Sequence, residues 1–163
     1  MRRSAAAGGS ALFFALAPGT VAGVIPWALT GWRVGTALPW PLRTAGWLMI
    51  GAGLLVIVPA FARFVREGAG TPAPVAETAR LVVGGPYRFV RNPMYVAVML
   101  VIFGQSLVLG RLSLVIWGLA AGAAMVAFAK GYEEPRLRQL YGADYEAYRR
   151  AVPGWWPRLP RRR

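Results

Sequence analysis

The chain has 163 residues, 56% of them hydrophobic and 15% charged, and its 19 Lys and Arg against 6 Asp and Glu give a net charge of +13. That length is expected to form a single domain, and a chain so apolar and so poor in charge points to a bilayer rather than a soluble core. It has no Cys and no His, which excludes disulfides, thiolate nucleophiles, His-dependent triads and the common zinc sites and leaves carboxylates, arginines, tyrosines, backbone groups or a reactive cofactor to do any chemistry.

Four apolar runs, 11–31, 45–62, 93–110 and 112–129, each come near the length a helix needs to cross the hydrocarbon core. The first follows Arg2 and Arg3 and begins like a signal peptide. Its apolar residues continue through Ile25, Pro26 and Trp27, so it reads as an uncleaved span kinked by Pro18 and Pro26. Between the second and third runs, 63–92 is rich in Gly, Pro and Thr and is expected to be mostly irregular. The third and fourth runs are joined through Gly110 and Arg111 and must form a tight hairpin, in which Gln105 is the most polar side chain. No span carries a charge, which counts against a proton-coupled transporter. In the tail, 130–163, Leu137, Tyr141, Tyr145 and Tyr148 recur at helical spacing, predicting a helix interrupted near Gly142 and stopped by Pro153, with Trp155 and Trp156 as interfacial anchors.

Basic residues give the orientation. Sixteen of them lie in the amino terminus, the middle loop and the tail, and only Arg33, Arg43 and Arg111 lie in the other two loops. Both termini are therefore expected in the cytoplasm, in an integral protein of a bacterial inner membrane. Arginines flanking apolar runs point to membrane lipids as partners and away from nucleic acid. The expected fold is all-α: a polytopic membrane protein of about four transmembrane helices, one membrane domain over 1–163, with a cytoplasmic helical carboxy-terminal segment.

The stretch Arg91-Asn92-Pro93-Met94-Tyr95 has two readings. Asn92 as N-cap, Pro93 in the first turn and an interfacial Arg and Tyr suit any membrane flank. The same helix start, beside Arg88 and Arg91, would also attract an anionic group. Glu133 and Glu134 follow the fourth span, where a helix carboxyl end disfavours acids. They are either a solvated cap or partners of the Arg88/Arg91 segment or of a cationic ligand.

GGPYRFVRNPMY, 84–95, followed by an apolar hairpin and then EEPRLRQLYGADYEAYRRAVPGWWP, 133–157, resembles the isoprenylcysteine carboxyl methyltransferase and phospholipid methyltransferase group of membrane enzymes. The resemblance covers about 81–157 and none of the first two spans. It implies S-adenosylmethionine as methyl donor at the cytoplasmic face and a lipophilic or amphiphilic acceptor, either an isoprenylcysteine-type carboxylate or a phospholipid-type amine. By position, Leu81, Val82, Tyr87, Asn92, Pro93, Met94, Tyr95 and Glu133 would line the donor site. Arg88, Arg91, Lys130 and Glu134 would hold the acceptor or close the site, with Glu134 taking the proton of an amine acceptor. Asn92 stands where the family usually has His, and Ala97 where it usually has Gly; the added methyl is expected to narrow the cleft. The glycines before Tyr87 are expected to let the backbone turn closely around a ligand. Two other readings are a sterol-reductase-like membrane oxidoreductase using NADPH and a small non-enzymatic membrane protein.

Overall fold

A computed structural model describes residues 16–68 and 81–159, except the side chains of 64–68. The expected start of the first span at 11–15, Arg2 and Arg3, most of the middle loop and Arg161 to Arg163 lie outside the described residues. The described chain is all helical: α1 (Leu16–Thr30), α2 (Trp40–Gly68), a 3-10 turn (Gly85–Arg88), α3 (Pro93–Leu109), α4 (Leu112–Phe128) and α5 (Glu134–Ala151). Among the described residues, two helices are long and apolar enough to cross a membrane, Trp40–Arg63 within α2 and the one that begins at Leu112; Leu16–Thr30 and Pro93–Leu109 are shorter apolar helices.

α2 outruns the expected 45–62 at both ends. Pro41 is suited to its first turn, where its missing N–H is not needed. Beyond Ala62 the chain carries Arg63, Arg66 and Glu67, polar residues that continue a helix well. Hydropathy marks where an apolar stretch ends, and the helix has no reason to stop there.

Small residues seven apart let α2 and α3 touch backbone to backbone. A Cβ built on Gly46 would lie 2.7 Å from the Gly104 carbonyl oxygen, and one on Gly53 would lie 2.7 Å from that of Ala97. This is close packing of the kind that holds apolar helices together where burial alone supplies little drive. Ala97 is fully buried in a cluster with Ile57, Val98, Ile102 and Ala121. Its methyl therefore belongs to a helix seam and does not narrow a cleft, contrary to expectation.

Where the sequence predicts a kink, α1 contains a π-helical turn, Thr20–Val24. Pro26 has no N–H for the Ala22 carbonyl four residues back, and Gln105 Nε2 donates to that oxygen at 2.7 Å. Just before it the ladder slips by one, Ile25 N–H bonding Thr20 O, so Val21 O accepts Trp117 Nε1–H at 2.9 Å. Two hairpin side chains thus complete a backbone that the proline opens. At the far end Gly110 has φ 58° and caps α3 through its N–H to Ser106 O. A Cβ there would overlap the Thr36 carbonyl, so the tight hairpin requires glycine.

α4 does not end where the fourth apolar run does. It passes through a second π-helical turn, Ala129–Glu133, directly into α5. Glu133 and Glu134 thus sit inside a continuous helix, and the expected conflict with a carboxyl-terminal dipole does not arise. The predicted interruption is present at Gly142 (φ 49°, ψ −119°).

Candidate functional site

The segment between Tyr87 and Asn92 is held by the tail. Arg91 N–H donates to Pro153 O at 2.8 Å and Asn92 N–H to Gly154 O at 3.2 Å, and Arg158 N–H donates to Phe89 O at 3.0 Å. Asn92 sits at the N-cap of α3, yet its side chain caps nothing; its Nδ2 donates to Gly154 O at 3.1 Å. Tyr148 Oη donates to the Tyr87 carbonyl at 2.7 Å. Trp155 stacks on Tyr95 at 6.1 Å between centroids, while Trp156 is exposed. Of the two expected anchors, one has become part of the packing.

Arg91 is the centre of this arrangement. Its Nε donates to Val152 O at 3.0 Å, and Nη1 donates to Glu134 at 3.1 Å and to Tyr145 Oη at 3.0 Å. The Arg91 and Glu134 side chains are 13% and 16% exposed, so the pair is largely removed from water, and each charge depends on the other. Burial pushes the Tyr145 phenol up and the Glu134 carboxylate adds to this, while Arg91 holds it back.

Glu133 faces a different partner. It accepts from Tyr95 Oη at 2.7 Å. Glu133 lies past the apolar stretch of α4, and its carboxyl is raised above the usual range by burial, with Glu134 adding and the Tyr95 hydrogen bond opposing. Burial, Tyr148 and Glu133 likewise raise the Tyr87 phenol, and burial raises that of Tyr148.

These groups form the polar end of a cavity of about 520 Å³. Leu81, Val82, Tyr87, Arg91, Asn92, Pro93, Met94, Tyr95, Glu133 and Glu134 all line it. Arg88 and Lys130 do not; both are exposed, one in the 3-10 turn and the other in the π-helical turn. Of the predicted tail stripe, Leu137, Tyr145 and Tyr148 reach the cavity and Tyr141 does not. Gly85 has φ 55°, and a Cβ on it would meet Arg63 Cγ at 3.0 Å. The glycine therefore makes room for a neighbouring side chain, where close approach to a ligand was expected.

The apolar wall was not foreseen. Pro18 and Val21 of α1 and Trp117, Ala121, Met125 and Phe128 of α4 line it. α4 is apolar all round, so no face is distinguished by hydrophobic periodicity. The one available signal was Trp117, a tryptophan inside an apolar run and away from its ends, where membrane tryptophans usually gather.

An apolar helical chain with carboxylates, an arginine and tyrosines grouped at one end of a cavity has the form of a membrane protein with a small-molecule site. A family model described as phospholipid methyltransferase matches residues 42–144, and the chain belongs to that family. Membership makes it a methyltransferase of a membrane-associated, lipid-directed kind. The match begins in α2, earlier than the resemblance in 81–157, and stops before Tyr145, Tyr148 and the tail segment that holds Arg91. Among curated proteins, none matches the chain.

Proposed function

We propose that this protein transfers a methyl group from S-adenosylmethionine to a lipophilic or amphiphilic acceptor at the cytoplasmic face of the membrane. In this reading the chain spans four times, with both termini in the cytoplasm. The observation that carries it is one cavity with two chemistries: a polar end built from Asn92, Tyr95, Glu133 and the Arg91–Glu134 pair, and a wall of uncharged apolar side chains.

The donor suits the polar end. A volume of about 520 Å³ lies within the roughly 300–1,000 Å³ usual for small-molecule sites. The Glu133 carboxylate is a partner for an ammonium, a sulfonium or ribose hydroxyls, and Tyr87 and Tyr95 offer ring faces to a cation. Leu81, Val82, Pro93 and Met94 would pack against the apolar parts of the nucleoside. Bound there, the donor supplies a methyl group on sulfur, open to in-line displacement by an aligned nucleophile.

The protein's own task is then positioning, which is worth up to about 7–11 kcal/mol of a barrier. Arg91 fixes the tail against the start of α3 and so fixes Asn92 and Tyr95 beside Glu133. A carboxylate acceptor needs no base. For an amine, the pairing of Glu134 with Arg91 favours a holding role over taking the proton. Arg88 and Lys130, outside the cavity, are available to the acceptor's headgroup at the membrane surface. Calorimetry of the detergent-purified protein should detect S-adenosylhomocysteine binding and none of NADPH; the reverse would favour a reductase.

A further inference from the structure

Each helix that walls the cavity stops lining it at a definite depth. α1 contributes nothing beyond Val21, α3 nothing beyond Val98, and α4 nothing before Trp117. At this depth Val21 and Trp117 press against the cluster of Ile57, Ala97, Val98, Ile102 and Ala121, and beyond Trp117 on α4 Leu114 is fully buried in a second cluster with Val108 and Leu109. Trp117 is also fixed in place, because its indole N–H donates to Val21 O at 2.9 Å, the carbonyl released by the π-helical turn of α1. A tryptophan held by its polar atom is a large, rigid surface with little rotamer freedom. Glu133 lies sixteen residues further along the same helix, on the order of 24 Å at the usual helical rise. The wall between them, Ala121, Ala124, Met125 and Phe128, carries no charge.

We infer that Trp117 is the floor of the cavity and sets the length of alkyl chain that an acceptor can insert. The inference deepens the reading of the cavity as the site of an amphiphilic acceptor and rests on it. Pro26 contributes at a distance: it opens α1, and the opened backbone holds the floor.

The test uses single-chain phosphatidylethanolamines with saturated acyl chains of stepped length, binding to the full-length protein in detergent. Affinities are expressed as the ratio of variant to wild type at each length, so that partition into micelles cancels. For Trp117→Leu the ratio should stay flat for short chains and then rise by about fourfold per added methylene beyond the wild-type limit. Trp117→Phe keeps a ring and should move the step less, and it carries the test if Trp117→Leu does not fold. Leu119→Ala, on the exposed face of the same helix, should leave the ratio flat throughout. A flat ratio in both Trp117 variants overturns the floor, as does failure of every chain length to bind the wild-type protein. Binding of S-adenosylhomocysteine is measured in parallel. If it is absent while the step appears, the donor reading fails and the floor stands.

Discussion

Arg91 divides its guanidinium among Val152 O, Glu134 and Tyr145, and no other side chain reproduces that fork. Lysine keeps the charge but has a single ammonium on a flexible stem. Arg91→Lys should therefore lower stability by about 1–3 kcal/mol through unsatisfied buried partners, and Arg91→Ala by about 3–5 kcal/mol by stranding Glu134; thermal unfolding in detergent reads both. Glu133 makes the second prediction at this scale. Its raised carboxyl means that the folded protein holds this proton more tightly than the unfolded chain does. Stability from this group is therefore present below the ordinary glutamate pKa and falls as pH rises through the raised one. A cationic donor needs the ionised form, so S-adenosylmethionine binding should weaken as pH is lowered through the same range; pH-independent affinity there would remove Glu133 from contact with the donor. Residues with unusual chemistry were the legible ones: Arg91, Asn92, Tyr95, Glu133 and Glu134 all reach one cavity. Their partners were less legible, because Asn92 bonds the tail at Gly154, sixty-two residues away, and leaves its own helix uncapped.

Among the elements, the α2–α3 seam gives the clearest contrast. A Cβ on Gly104 would lie 2.7 Å from the Gly46 carbonyl oxygen and 3.0 Å from the Ile50 backbone nitrogen. Backbone cannot rotate away, so Gly104→Ala should destabilise by about 1–3 kcal/mol as the helices are forced apart. On Gly122 the same atom would lie 2.7 Å from Met99 Cε, the movable end of a flexible side chain. Gly122→Ala should be near neutral or slightly stabilising, since alanine is the better helix former. Equal losses of melting temperature in the two variants would contradict this packing scheme. The hairpin turn at Gly110 was legible because it depends on local composition. The length of α2 and the continuity of α4 into α5 were hidden because hydropathy does not mark helix ends, and the π-helical turn of α1 because it depends on which side chains from elsewhere satisfy the backbone. Gln105 and Trp117 do so for α1.

At the scale of the whole molecule, the proposed site needs the polar end of the cavity, the tail and the middle loop on one side of the membrane. With sixteen basic residues against three, that side is expected to be the cytoplasmic one. Reporter fusions after Arg163 and within 32–43 should give cytoplasmic and periplasmic signals respectively; a periplasmic carboxyl terminus would sink the topology. The all-helical class was legible from composition, since an apolar chain of this kind has few other ways to satisfy its backbone in lipid. The wall of the cavity was not, because it forms only when α1, α3 and α4 meet. The central claim is that Glu133 holds a cationic methyl donor, and the most direct measurement is the calorimetric affinity of folded wild-type and Glu133→Gln protein for S-adenosylmethionine. The substitution keeps the shape and removes the charge, so affinity should fall roughly ten- to a hundredfold, or about 1.5–3 kcal/mol. An unchanged affinity, or no binding by the wild-type protein, would contradict it.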